Sequence, residues 1–303
     1  MRIIDLSQGI IDPNVVGGKG ASLAQLLLFG IPVPPGFVIT TQVFEECVKS
    51  KTISDTLRDE IFYAFERLGS PEFVAVRSSA TAEDSANASW AGELETYLNT
   101  TKVQLITNIQ RCWASLSSPR AVVYAKHHNV DTLSMAVVVQ QMIQSDVAGV
   151  AFTVHPVTQN RNHIIIEAGL GLGEAIVSGS ITPDSYVVDK SSGHIVEVIV
   201  NEQERKLVKK IEFDESNTDT ANEWVDIAPD HRSVQKLSLD QIQQLATLCM
   251  TIEQRYGFPC DIEWALLRSS SSPLRQGYGV QAEGQAQFYI TQSRPITTLA
   301  SAL

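Results

Sequence analysis

The chain has 303 residues, of which 44% are hydrophobic and 19% are charged, and this composition excludes a disordered or fibrous protein. Its 23 Lys and Arg residues face 34 Asp and Glu residues, a formal charge of −11 that disfavours general nucleic-acid binding. Apolar runs such as 26–29 and 137–139 fall far short of the roughly 18 residues that span a bilayer, so we expect no membrane segment. The start of the chain lacks the apolar stretch of a secretory signal, and its four scattered cysteines form no C-x-x-C pair. These features predict reduced, mostly buried thiols in a cytoplasmic protein.

Helix and strand patterns alternate along the chain and predict an α/β or α+β fold. In the first part we expect a helix over 19–30, a strand over 37–39, a helix over 54–68 capped by Ser54 or Asp55, a strand over 73–76, and helices over 102–118 and 119–128. Further strands are predicted at 135–143, 148–154, 163–167, 185–189 and 194–200. A helix over 238–256, between Ser238 and Gly257, precedes the last two strands, 261–266 and 287–292.

Two segments lack such periodicity. Residues 211–231 hold seven acidic residues and no Lys or Arg, which predicts a solvated surface loop. Residues 267–286 are biased to small and polar types, which predicts a flexible insertion.

Two polar islands in the first part of the chain are suited to binding an anion. Glycines surround Lys19 at the start of a predicted helix, where backbone N–H groups and a lysine can approach a phosphate. The same pattern is typical of an ordinary helix start with an exposed lysine. Arg77 follows the predicted strand 73–76 directly, and an arginine there must find an anion. A phosphate satisfies that need, and so does pairing with Glu83 or Asp84.

Two further polar segments are candidates for a nucleotide site: a turn of small residues and the last two predicted strands. Residues 91–96 predict a turn of a size to lie over the phosphates of a nucleotide. Strand alternation places Asp261 and Glu263 on one face, and antiparallel pairing of the last strands would bring Gln292 and Arg294 to that face. Carboxylates, an amide oxygen and an arginine together suit a Mg²⁺–triphosphate complex. A surface carboxylate–arginine pair at a hairpin is the alternative.

Taken together and in order, these islands resemble the phosphoenolpyruvate synthase and pyruvate phosphate dikinase family. The resemblance is carried by VGGKGASL (16–23), GIPVPPGF (30–37), VRSSATAED (76–84), ASWAG (88–92), GLGEAIVSG (171–179), ITPD (181–184) and QSRPIT (292–297). It extends nearly end to end and is to the ATP-binding domain, of ATP-grasp type, that opens pyruvate,water dikinases and the similar rifampicin phosphotransferases. It implies an α+β, two-lobed fold that holds Mg·ATP between its lobes. The implied layout is a single ATP-binding region over 1–303, with an N-terminal lobe at about 1–130 and a C-terminal lobe over 131–303 that includes the insertion.

The resemblance also implies a role for individual residues. Lys19 and Arg77 would hold the phosphates, and Gly92 and Thr96 would belong to the loop that covers them. Gln140 would lie at the hinge where backbone groups read the adenine. The residues implied on the last two strands are Glu263 and Gln292 as Mg²⁺ ligands, Asp261 beside them, and Arg294, which would grip the transferred phosphoryl group. Lys19, Arg77 and Arg294 would be the catalytic side chains.

The sequence departs from the family pattern at a few positions. Asn87 stands where the family usually has Asp, and Trp90 where it has Phe or Tyr. The step from Glu263 to Gln292 is also longer than the usual hairpin, and the extra residues fall in the predicted insertion, where added length costs little entropy.

In this family the ATP domain phosphorylates a histidine on a separate swivelling domain. None of the six histidines of this chain lies in a segment that matches the carrier motif. The resemblance therefore implies a phosphotransferase domain that uses a carrier histidine supplied by another polypeptide or by a longer parent chain. A rifampicin-phosphotransferase-like ATP domain and a non-catalytic nucleotide-binding module remain alternatives.

Overall fold

A computed structural model describes residues 1–50, 52–81, 94–119, 123, 134–210, 221–268 and 286–296 of the chain. The described residues form two compact units. The first unit comprises those of Met1–Gly30, Pro34–Met142 and Lys210–Ala221, and the second comprises those of Ile31–Val33, Ile143–Lys209 and Asn222–Leu303. Among the helices described, none has both the length and the apolar character that crossing a bilayer requires.

The first unit is built on one antiparallel sheet with the strand order β1-β2-β5-β3-β4. Its strands are β1 (Ile3–Asp5), β2 (Gly36–Ile39), β3 (Val74–Ala80), β4 (Thr96–Thr100) and β5 (Met135–Gln141). Its helices are α1 (Pro13–Leu28), α2 (Thr41–Ser50), α3 (Asp55–Arg67) and α4 (Leu105–Ser115), and a 3-10 turn covers Leu6–Gln8.

The two faces of this sheet differ in what covers them. One face presents valines of β3 and β5 to a core that also contains side chains of α2, α3 and α4, among them Leu57, Ile61 and Leu105. Ser54 starts α3 by accepting a hydrogen bond from the Leu57 N–H at 3.2 Å. Helix α1 packs against β3 and β5 on the opposite face. Ser79 of β3 points to that face, since its hydroxyl bonds to Val16 and Gly20 of α1. That opposite face carries the polar residues of the candidate site.

The second unit contains a six-stranded antiparallel sheet with the order β13-β12-β6-β7-β8-β9, and a separate hairpin of β10 and β11. The sheet strands are β6 (Val147–Phe152), β7 (His163–Leu170), β8 (Asp184–Asp189), β9 (Ile195–Ile199), β12 (Cys260–Leu267) and β13 (Gln287–Pro295). The hairpin strands are β10 (Arg205–Lys209) and β11 (Asn222–Asp226). The helices are α5 (Glu174–Val177), α6 (Pro229–Arg232) and α7 (Leu239–Tyr256).

Helix α7 shows how local sequence sets an element of this unit. Ser238 and Gln241 form a reciprocal capping box at its start, and Gly257 ends it in a left-handed conformation with φ 79°. Its buried residues, Ile242, Leu245, Ala246, Cys249 and Ile252, lie on the side that contacts β7, β8 and β12. The amphipathic pattern therefore places one face of α7 against the sheet.

A buried ion pair joins β8 to the segment before α7. Lys236 Nζ lies 3.1 Å from Asp184 Oδ1, and both side chains are fully buried. The ammonium also donates to the carbonyl oxygens of Asn201 and Arg232, while Asp184 accepts from the Tyr186 hydroxyl and from the Asn201 and Lys236 N–H groups. Every proton of the ammonium thus has an acceptor, which is what makes a buried charge pair tolerable.

The structure confirms the predicted α+β class and the main elements, and it corrects several details. Strand β3 continues through the polar residues 77–79 to Ala80, four residues beyond the predicted strand end at Val76. The helix predicted over 19–30 is observed as Pro13–Leu28. Helices α2 and α5 and strands β1, β4 and β10 were not predicted, and the loop predicted over 211–231 contains β11 and most of α6 in its described part. The four cysteines are unpaired and buried, as predicted. Most of the predicted helix 119–128 and of the insertion 267–286 lies outside the described residues. The lobes predicted at 1–130 and 131–303 stay a prediction.

Candidate nucleotide-binding site

Arg77 lies inside the sheet of the first unit rather than after it. It stands opposite Thr96 of β4 on one side and Val138 of β5 on the other. Alternation along β3 turns Val76 to the apolar core and turns Arg77 and Ser79 to the face that α1 covers. The Arg77 residue is only 7% exposed, so the sheet itself fixes where this cation is placed.

The guanidinium of Arg77 is held by a buried amide. Arg77 Nη1 donates to Gln140 Oε1 at 3.3 Å, and Gln140 Nε2 donates to the Pro34 carbonyl oxygen at 3.2 Å. Gln140 is 2% exposed and lies opposite Ala75 of β3 and Gly36 of β2. We call Lys19, Arg77 and Gln140 the phosphate cluster.

Lys19 follows a break in α1. Gly17 has φ 71° and ψ 171°, so the helix stops and restarts at this residue. The Ser79 hydroxyl donates to the Val16 carbonyl at 3.0 Å and accepts from the Gly20 N–H at 3.1 Å, which ties both sides of the break to β3. Lys19 is 7% exposed and lies in the first turn after the break. Polar N–H groups and a lysine at such a helix start suit an anion.

The predicted covering loop is described only in part. Thr96 is exposed at the first position of β4, opposite Arg77. Gly92 lies outside the described residues, as do Asn87, Trp90, Glu83 and Asp84. The role predicted for Gly92 and Thr96 stays a prediction.

The second unit brings the predicted metal-binding residues together on paired strands. Strands β12 and β13 are antiparallel, with Asp261 opposite Arg294 and Glu263 opposite Gln292. The register shifts after Glu263, so that Trp264 pairs with Ile290 and one residue of β13 is extra. Such a bulge twists the strands and re-aims neighbouring side chains. We call Asp261, Glu263, Gln292 and Arg294 the carboxylate cluster.

Asp261 anchors Arg294. Its Oδ2 accepts from Arg294 Nε at 2.8 Å and lies 2.7 Å from Nη2, so a single carboxylate oxygen contacts both nitrogens of one guanidinium edge. Burial raises the pKa of Asp261, and the charge of Arg294 partly offsets that increase. Both side chains are largely buried, which fixes the plane of the guanidinium.

Glu263 and Gln292 offer hard oxygen atoms, the kind of ligand that Mg²⁺ prefers. Glu263 is half-buried, and Gln292 is 5% exposed. Within the described parts of the chain, no three His, Cys, Asp or Glu residues converge as a metal-binding group. Mg²⁺ is commonly held by one or two protein carboxylates and completed by substrate phosphates and water. The donor set on β12 and β13 is therefore compatible with a magnesium ion carried in by a nucleotide.

Sequence reasoning missed one acidic residue of the same sheet face. Val150 of β6 stands opposite both Glu263 and Glu167 of β7, so the two carboxylates belong to one row across the sheet. Burial raises the pKa of Glu167, and the charge of Asp261 raises it further. Glu167 ends the strand predicted over 163–167 and directly follows three isoleucines, a run without alternation that gives no local indication of its neighbours.

Comparison with known proteins identifies related sequences over nearly the whole chain. The model of the family described as "Pyruvate phosphate dikinase, AMP/ATP-binding domain" matches residues 13–66 and 46–302. A probable phosphoenolpyruvate synthase of Archaeoglobus fulgidus is 38% identical over 95% of this chain and 40% of its own length. One of Methanothermobacter thermautotrophicus is 36% identical over 96% of this chain and 45% of its own length. An uncharacterized phosphotransferase, YvkC of Bacillus subtilis, is 35% identical over 94% of this chain and 34% of its own length. The chain thus spans less than half the length of these relatives.

Proposed function

The chain belongs to the pyruvate phosphate dikinase AMP/ATP-binding domain family, and on that premise we propose that it binds Mg·ATP and donates a phosphoryl group from it to a carrier histidine. The relatives named phosphoenolpyruvate synthase and phosphotransferase support this activity. The six histidines of this chain lack the family's carrier motif, so the proposed carrier is a separate domain or polypeptide.

The observation that carries the proposal is the register of β12 and β13. It sets Glu263 opposite Gln292, next to an Arg294 whose guanidinium Asp261 holds in place. Two oxygen ligands beside an oriented cation are the side chains that phosphoryl transfer requires, since the protein's part is positioning and charge neutralisation.

Lys19 and Arg77 are proposed to bind the phosphates. Both are nearly buried, so solvent weakens their attraction for a phosphate less than it would at the surface of this protein, whose formal charge is −11. At an effective dielectric of about 20, one cation about 4 Å from a phosphate charge contributes about 4 kcal/mol before desolvation. Such local cations suffice to attract a polyanion to an acidic protein.

Glu263 and Gln292 are proposed to ligate Mg²⁺, which when bound neutralises charge on the phosphates. Gln292 is neutral, so the pair adds a single negative charge to the metal's surroundings. Arg294 is proposed to hold the transferred phosphoryl group, and Asp261 keeps the Nε–Nη2 edge of its guanidinium in place. No covalent nucleophile of this chain is required.

Calorimetric titration with Mg·ATP tests the phosphate cluster. We expect Lys19→Ala and Arg77→Ala each to weaken ATP binding more than tenfold, which corresponds to about 1.4 kcal/mol. Arg67→Ala, at an exposed cation of α3, is the matched control and should bind like the unmodified protein. Unchanged affinity in the Lys19 and Arg77 variants would contradict their assignment.

The metal assignment has its own test. The unmodified protein should bind ATP more tightly with Mg²⁺ than with a chelator present, and Glu263→Gln should remove that difference. Glu197→Gln, on the exposed strand β9, should keep it. A Glu263→Gln variant that still responds to Mg²⁺ would show that the metal binds elsewhere.

Phosphoryl transfer separates an enzyme from a binding module. A carrier-histidine domain taken from one of the relatives is incubated with this chain and phosphate-labelled ATP. We expect acid-labile label on the carrier histidine. Tight binding of Mg·ATP without transfer to any such carrier would favour the non-catalytic module.

A further inference from the structure

The side chain of Gln140 uses both ends of its amide. The carbonyl oxygen accepts from Arg77, and the nitrogen donates to the Pro34 carbonyl oxygen. Reversing the amide would set its nitrogen against the guanidinium and its oxygen against the Pro34 oxygen, two contacts between like partners. Because Arg77 can only donate and the Pro34 carbonyl can only accept, the amide has one favourable orientation.

The main chain of Gln140 takes part in the pairing of β5 with its neighbouring strands. The Gln141 N–H donates to the Pro35 carbonyl at 2.8 Å, which makes Gln140 and Gly36 a pair without direct hydrogen bonds in the β2–β5 ladder. By the alternation of antiparallel ladders, the N–H and C=O of Gln140 then point to Ala75 on β3. The backbone holds the sheet together, and the side chain acts on Arg77 independently of it.

A neutral partner has a specific advantage for an arginine that serves a phosphate. Hydrogen bonding to a carboxylate would orient the guanidinium and also place a negative charge beside it, as Asp261 does for Arg294. Hydrogen bonding to an amide oxygen orients it without adding a negative charge. Gln140 is 2% exposed, so little water competes for this contact.

We propose that Gln140 is a positioning residue that orients the Arg77 guanidinium toward the phosphates of the nucleotide. This inference rests on the proposed function, because it presumes that Arg77 binds phosphate. It differs from the adenine-reading role implied for residue 140 by resemblance, since that role uses backbone groups and this one uses the side-chain amide.

A double-mutant cycle on ATP affinity tests the proposal. Gln140→Met removes both hydrogen bonds at similar size, and we expect it to weaken Mg·ATP binding by about threefold to tenfold, the range for one lost hydrogen bond. In an Arg77→Met background, the same substitution should change the affinity by less than about twofold, because the residue it positions is gone. Gln141→Met is the matched control: it is the next residue of β5, faces the other side of the strand and should bind like the unmodified protein.

Gln140→Glu provides a second variant of nearly the same shape. It keeps an acceptor for Arg77 but loses the donor to Pro34 and adds a negative charge, so we expect it to weaken ATP binding more than Gln140→Met does. Urea unfolding of each variant verifies that it is folded before binding is measured.

The outcomes separate this proposal from the function on which it rests. Equal losses from Gln140→Met with and without Arg77 would overturn the positioning role, because the two residues would then act independently. If Arg77→Met alone binds Mg·ATP normally, the phosphate assignment of the proposed function is wrong, and the positioning role falls with it.

Discussion

Gly17 lies so close to Ser79 that a β-carbon added to the glycine would sit 2.0 Å from the Ser79 carbonyl oxygen. The same serine bonds Val16 and Gly20 through its hydroxyl. The break that precedes Lys19 is therefore in direct contact with β3, the strand that carries Arg77. This contact fixes the backbone of α1 at the break relative to the backbone of β3.

Gly17→Ala should be strongly destabilising for two separable reasons. The backbone conformation of Gly17, with φ 71° and ψ 171°, lies in a region essentially confined to glycine and costs an alanine about 1–3 kcal/mol, and the overlap with Ser79 adds about 1–3 kcal/mol. Gly30→Ala provides a comparison without the overlap, because its φ of 75° is also positive but no described heavy atom lies within 4 Å of the added carbon. The free energy of unfolding in urea should fall more for Gly17→Ala, and equal losses would argue against this contact.

Lys236→Met should destabilise the second unit by about 3–5 kcal/mol, because it leaves the Asp184 carboxylate charged and fully buried without its cation. Lys102→Met provides the comparison. Lys102 pairs with Glu66 at the surface, where an ion pair contributes about 0–1 kcal/mol. Urea unfolding at neutral pH measures both variants. Losses of similar size would mean that the buried network contributes little beyond a surface pair.

Glu167→Gln should stabilise the protein at neutral pH. Burial, and secondly the charge of Asp261, raise the pKa of Glu167 in the folded state, so folding imposes a cost on its ionised form. That cost is fully present above the folded-state pKa and disappears as the pH falls below the unfolded-state value of about 4.3. The gain in unfolding free energy should therefore be larger at pH 7 than at pH 4. A gain independent of pH, or a loss at pH 7, would contradict this environment for Glu167.

Local capping signals predicted the start of α3 and both ends of α7. Ser54 and Ser238 cap their helices and Gly257 ends α7, because each acts on backbone groups within a few residues. The shared face of Asp261, Glu263, Gln292 and Arg294 also followed from alternation once the last two strands pair.

Non-local contacts account for what the sequence alone did not show. The strand was predicted to end at Val76, before the polar run 77–79, yet β3 continues through that run because Ser79 bonds to groups of α1 some 60 residues earlier in the chain. The partners of the Gln140 side chain lie 63 and 106 residues away, so no local pattern indicates them. Glu167 joins the row of Glu263 only through the registers of β6 with its two neighbours.

The paired strands β12 and β13 carry the charged side chains near one end and are joined by a connecting segment at the other. Asp261 and Arg294 pair near one end, whereas Leu267 and Gln287 pair at the other, about 20 Å along the strands at about 3.3 Å per residue. Residues 268–286 connect the strands at that remote end. The length of this connection therefore does not determine which residues of β12 and β13 pair beside the charged side chains. Evolution can lengthen this connection, and an engineer can splice a reporter peptide into it, without moving the groups on which chemistry would depend.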